Sequence, residues 1–108
     1  MGNVKTIVGK SFRTEGGVTF KVLAGEKYLD REIGGQGGQH RKYLMALRPG
    51  MLVSVMFHGT PVPVITTEDG VVRLTEIECN GRTCARSGIM SEALGVLQPK
   101  NPVLLTSE

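Results

Sequence analysis

The residues with the most reactive side chains are two cysteines, Cys79 and Cys84, which flank the dipeptide Asn80-Gly81. Asn-Gly is the strongest short signal for a type I′ hairpin. In such a hairpin Cys79 faces Arg82 and Cys84 faces Ile77, so the two sulfurs share a face as diagonal neighbours. A zinc site needs two further ligands, and the only histidines, His40 and His58, stand in no finger spacing. No metal site is expected. A disulfide is geometrically possible but unexpected in a reducing compartment, which leaves two semi-buried thiols as the plain reading. No Ser or Cys has a nucleophile-elbow context, and no G-x-x-x-x-G-K-[ST] loop occurs. Glu68 and Asp69 lie in a turn, and Glu76 and Glu78 share a strand face near Arg73 as solvated charges. Acid, base and oxyanion-binding groups are not assembled anywhere, so the expectation is a non-enzymatic protein without a cofactor.

Two short patterns have a bland reading beside a sharp one. Gly37-Gly38-Gln39 matches the tripeptide with which peptide-release factors hydrolyse peptidyl-tRNA, but the residues after Gln39 do not match that family's signature. With Gly34-Gly35-Gln36 just before it, the tripeptide reads as loop composition. Met1-Gly2-Asn3-Val4-Lys5-Thr6 fits the N-myristoylation pattern. One acyl chain gives only marginal membrane binding, and the stretch reads as the start of a first strand.

Charge is more informative once divided. Residues 1–48 hold nine Lys/Arg against four acids, whereas residues 49–108 hold four against six, so the overall charge of +3 hides a basic N-terminal half. Such asymmetry points to a polyanionic partner. The candidate cations for phosphate contact are Lys10, Arg13, Lys21, Lys27, Arg41, Lys42 and Arg48.

The elements that would carry these residues are short and β-like. A chain of 108 residues fits one domain spanning 1–108. It is far from the size of a TIM barrel or a two-domain dehydrogenase. Residues 4–12 alternate, with Val4, Thr6, Val8 and Phe12 on one face. Thr14-Glu15-Gly16-Gly17 is a turn, and Val18, Phe20, Val22 and Ala24 alternate after it, which together make a hairpin. Lys27 to Ile33 suits one or two helical turns. Gly34 to Gln39 has almost no side chain to pack, which predicts a flexible basic Gly-rich loop at about 34–42. A helical turn over Tyr43 to Leu47 precedes Arg48-Pro49-Gly50. Met51 to Phe57 is apolar on both faces, as a strand covered on both sides or wrapped into a barrel must be. Pro61 and Pro63 confine the next segment to an edge or an irregular strand. Val71 to Cys79 is a strand whose alternation shifts near Thr75-Glu76, where a bulge fits. Ile89 to Leu97 has no clear type, and Val103 to Thr106 forms a last short strand. The fold class is therefore all-β, a small closed barrel of five to seven strands with a long Gly-rich loop. The longest nearly apolar run, Met51 to Phe57, is too short to span a bilayer. With no apolar leader at the N-terminus, the expected compartment is cytoplasmic.

The order of these features resembles the bacterial single-stranded-DNA-binding proteins with an OB-fold. Thr6-Ile7-Val8-Gly9 is similar to their opening strand. Gly16-Gly17-Val18-Thr19-Phe20 through Tyr28 looks like their second strand, which closes on an aromatic. Tyr43-Leu44 through Val55, and Asp69-Gly70-Val71-Val72 through Ile77, resemble two later strands. The resemblance implies an OB-like barrel and a single-stranded nucleic-acid partner. It places Tyr28 at a base-stacking position, with Tyr43 a further candidate. With only five aromatics and no Trp, stacking is scarce and binding should rest mainly on phosphate contacts. Barrels of this kind commonly pair through strand edges, so a homo-oligomer is expected. The competing reading is a small oligomeric assembly protein. Pro49 to Val53, Asp69 to Val72 and Leu94 to Leu97 resemble parts of small phage capsid-decoration proteins, which would place the chain in a virion.

Overall fold

The structure is a computed structural model that describes residues 7–28, 43–98 and 101–108. Seven strands and one helix follow in chain order: β1 (Ser11–Thr14), β2 (Thr19–Lys27), β3 (Met51–Phe57), β4 (Thr60–Thr67), β5 (Gly70–Cys79), β6 (Arg82–Cys84), α1 (Ser87–Leu94) and β7 (Val103–Ser107). All pairings are antiparallel, in the order β2-β1-β7-β3-β4-β5-β6, and a further β2–β5 ladder closes the sheet. Six strands thus form a closed barrel, with β6 added beside β5. Strands β3, β4 and β5 are joined by tight turns, and β7 returns over a long connection to lie beside β3, which is a Greek key. The all-β barrel expected from the sequence is what forms, and it is compatible with an OB-like fold.

Local chemistry accounts for the turns. In the β1–β2 hairpin, Gly17 takes φ +93°, its N–H donates to the Thr14 carbonyl, and Thr14 N–H donates back to Val18. At the β5–β6 turn Asn80 and Gly81 both have positive φ, 55° and 76°, as a type I′ turn demands. Cys79 pairs with Arg82 and Ile77 with Cys84, so the thiols are diagonal neighbours as the spacing implied. Both are free; Cys79 is buried and Cys84 half-buried.

Closure depends on two irregularities. The β2–β5 register shifts between Val22 and Ala24, and again between Ala24 and Gly25, opposite the Glu76-to-Leu74 step where the alternation of β5 shifts. Bulges of this kind bend and twist a sheet enough to close it. Gly25 lies in that seam, where a Cβ would stand 2.8 Å from Val72 Cγ1 and 3.2 Å from the Arg73 carbonyl oxygen. Only glycine lets the two backbones approach so closely.

The prolines of β4 mark a half-edge. Strand β4 pairs with β3 along its length, but with β5 only from Val64 onward. Pro61 and Pro63 therefore fall where no second ladder is needed. Helix α1 takes the vacant side, and Ser91 Oγ donates to the Pro61 carbonyl at 2.8 Å. The helix ends on Gly95 at φ 76°, whose N–H donates to Glu92 while Val96 N–H donates to Ser91, a Schellman motif. Residues 89–97, of no clear type from sequence, are thus mostly helix and its cap.

Two apolar clusters sit on opposite faces of β3 and β4. Inside the barrel, Leu52 and Ile65 pack with Phe12, Phe20, Val22, Val72, Leu74 and Ile77, and Met90 and Leu94 of α1 join them. On the outside, Val53, Val55, Val62 and Val64 pack with Val71, Leu44 and Tyr28. The apolar faces of Met51 to Phe57 are accounted for by these two layers. The helical turn expected at Tyr43–Leu47 is present, and Leu44 is its buried residue. Thr66 fastens the turn that follows: its hydroxyl donates to the Arg48 carbonyl at 2.8 Å and accepts from Met51 N–H at 2.9 Å.

The first strand is shorter than the alternation implied. Ile7 is buried, whereas Val8 is exposed and lies in a turn, and β1 begins only at Ser11. Gly9, at φ +89°, breaks the extended run, and its N–H donates to the Val22 carbonyl. Lys27, expected to open one or two helical turns, is instead the last residue of β2, because its backbone pairs with Val72 of β5. Val4 and Thr6, the 34–42 loop and residues 29–33 of the expected helical stretch lie outside the described residues.

Candidate functional site

The cations singled out in the sequence fall into two groups. Lys10, Arg13 and Lys21 belong to the β1–β2 hairpin, and all three are exposed. Because Ser11 pairs with Lys21 and Arg13 with Thr19, these four residues share the outer face of the hairpin. Arg13 and Lys21 are diagonal neighbours there, roughly 7–8 Å apart. The inward alternation of Phe12, Phe20 and Val22 forces this arrangement, since successive side chains in a strand take opposite faces. On the far side Lys21 is paired with Glu78 of β5. A depression of about 310 Å³ opens here, lined by Ser11, Thr19, Lys21, Glu78 and Asn80.

Lys27, Tyr28, Tyr43 and Arg48 form the second group, at the opposite end of β2. Lys21 and Lys27 are separated by roughly 20 Å of extended strand. Lys27 and Arg48 are exposed. Tyr28 is buried at 8% exposure within the outer cluster, and Tyr43 is half-buried against that cluster. Burial pushes the Tyr43 phenol above its ordinary value. The ring that the resemblance placed in a stacking position is thus a core ring, held by Val53, Val55 and Leu44 on one side of the sheet. Arg41 and Lys42 lie outside the described residues.

The hairpin group is not a bare cationic surface. Arg13 Nε stands 3.4 Å from Glu108 Oε2, and both side chains are well exposed. Across the described residues eight Lys/Arg meet eight Asp/Glu, so the barrel carries no net charge and the chain's excess positive charge belongs to residues 1–6, 29–42 and 99–100. Arg73 pairs with Glu26 on the outer face of the β2–β5 seam. Among the described residues no group of three or more His, Cys, Asp or Glu could hold a metal. Nor is any described helix long and apolar enough to cross a membrane.

Sequence reasoning chose the cations for their charge and did not find their neighbours. Ser11, Thr19 and Asn80 come to Lys21 through strand register. For Ser11 and Thr19 that register was readable from the Gly16-Gly17 turn; the approach of Asn80 needs the long-range β2–β5 ladder. Compared with protein-family models, curated proteins and solved structures, the chain matches none.

Proposed function

We propose that the protein is a non-enzymatic binder of single-stranded nucleic acid, and that the strand lies along the outer face of the β1–β2 hairpin. What supports the reading is one observation: Lys21 at a polar depression, with Arg13 diagonal to it and Lys10 beside the same hairpin. Phosphate oxygens take Arg13 and Lys21 of the strands and Lys10 beside them, and the Ser11 and Thr19 hydroxyls and the Asn80 amide supply hydrogen bonds to the sugar–phosphate backbone. Phe20 lines the depression, but its ring packs in the barrel interior at 2% exposure, so base stacking contributes little and discrimination among bases is weak. Glu78 and Glu108 compete with phosphate for the same cations, which keeps affinity modest and makes it depend on ionic strength.

Anisotropy of a labelled single-stranded oligonucleotide, measured against salt, tests this. Single strands lose about 0.7 in logarithmic slope per phosphate neutralised. A site of Lys10, Arg13 and Lys21 gives a slope of about −2, whereas all seven candidate cations together give about −5. Lys21→Ala lowers the slope by roughly 0.7, and Glu78→Gln strengthens binding at low salt. No binding at low salt, or equal retention of single strands and duplex, overturns the reading.

A further inference from the structure

Cys79, Arg82 and Cys84 share one face of the β5–β6 hairpin. Cys79 stands opposite Arg82 and Cys84 opposite Ile77, while Ile77 and Cys79 alternate onto the same side of β5. Cys79 belongs to the inner apolar cluster, and Cys84 packs against that same cluster. Both thiols are free; Cys79 is buried, whereas half-buried Cys84 leaves a way in from solvent. Arg82 is exposed at the turn end of this face.

Spacing decides what such a pair can do. Diagonal neighbours stand roughly 7–8 Å apart along their backbones, beyond the roughly 4.4–6.8 Å that a disulfide accepts. The disulfide that the sequence left open therefore does not close without backbone movement. An ion between the sulfurs replaces one bond of about 2 Å with two of about 2.3 Å, and the added reach suits the diagonal. Two sulfurs are too few for structural zinc or for an iron–sulfur cluster, each of which takes four ligands. Among the described residues no group of three His, Cys, Asp or Glu exists to complete either. Soft thiolates also select cuprous copper, whose filled d shell accepts just two ligands in a line.

We propose that Cys79 and Cys84 bind one cuprous ion as a two-coordinate dithiolate, with Arg82 balancing its charge. Each thiol releases its proton, two copper–sulfur bonds form, and copper stays monovalent throughout. Two thiolates and one cuprous ion leave a single negative charge, which the guanidinium on the same face offsets. Cys79 gives up only a weak S–H contact to the Thr19 carbonyl oxygen, at 3.8 Å. Burial raises the Cys79 thiol, so the ion must displace that proton rather than find it already gone. The inference is independent of nucleic-acid binding, and its test contains no nucleic acid.

Competition against a chromophoric cuprous chelator, with the full chain reduced and anaerobic, gives affinity and stoichiometry. One ion per chain is expected, and excess zinc does not displace it. Because two protons leave, affinity rises about 100-fold per pH unit between about pH 6 and 7.5, whereas one thiol alone gives about tenfold. X-ray absorption finds two sulfur neighbours around the copper. Cys79→Ala and Cys84→Ala each lose more than about 100-fold in affinity, and Arg82→Gln, with both thiols intact, loses about tenfold. A urea midpoint for each variant reports folding; if Cys79→Ala does not fold, the pH slope and the sulfur count decide. Four results overturn the inference: no capture of copper, a tenfold pH slope, half an ion per chain, or a folded Cys79→Ala that binds like the parent.

Discussion

Cys79 lies against the barrel interior, with its sulfur 3.8 Å from the Thr19 carbonyl oxygen. Burial pushes its thiol above the ordinary value of 9.0, and the nearby Cys84 adds to the shift. A thiol held neutral in the fold ionises more easily once the chain unfolds. Its contribution to stability is therefore complete below the ordinary value and is lost as pH rises toward the folded one. Tyr43, also raised by burial, acts in the same direction from about 10. The urea midpoint should fall as pH rises through the range that opens at about 9 and continues past about 10, and Cys79→Ala should flatten the first part of that fall. A midpoint that holds or rises across this window refutes the assignment. Alkylation adds a second readout at the same scale: half-buried Cys84 reacts ahead of buried Cys79.

Among the elements, the β2–β5 seam is the most demanding, because two bulges and Gly25 must coincide there. Gly25→Ala forces a methyl group against Val72 and the Arg73 backbone, at a cost of about 1–3 kcal/mol. Gly16→Ala is the matched control. A Cβ there meets nothing nearer than Thr14 Oγ1 at 3.8 Å, and its urea midpoint should barely move. Equal midpoints for the two variants would show that the seam yields without strain. The difference between these glycines also bears on what could be read from sequence. The turns at Gly17 and Asn80-Gly81 follow from local backbone preference, and the bulge near Thr75 from a break in alternation. Gly25 carries no such sign, since its requirement comes from a strand about 50 positions away. Helix α1 was equally hidden. Its eight residues are too few to show a clear period, and the half-edge that it covers exists only after β4 and β5 have parted.

At the scale of the whole molecule, the barrel was legible because period-two segments, turns and a strand apolar on both faces agree on one architecture. The candidate site was legible only in part. Charge identified Lys10, Arg13 and Lys21, but the carboxylates that temper them, Glu78 and Glu108, arrive through pairings across the fold. Tyr28 shows the converse: an aromatic expected to face a ligand is taken up by the outer core, because β3 and β4 expose a second apolar face that needs covering.

The cyclic strand order has a kinetic side. The β3–β4–β5 meander joins neighbours along the chain, whereas β1 meets β7, and β2 meets β5, only after long loops have closed. Loop-closure entropy must be met before those ladders give anything back, so folding should proceed in milliseconds to seconds. The meander then forms ahead of the closing ladders. Native-state hydrogen exchange should find the amides of β3 and β4 protected longer than those pairing Phe12–Thr14 with Leu105–Ser107. Equal protection throughout would mean that the barrel opens only as a unit. Unequal protection would mean that the ladder beside Arg13 opens while the meander stays shut, so the strand bearing one proposed phosphate contact could detach without global unfolding.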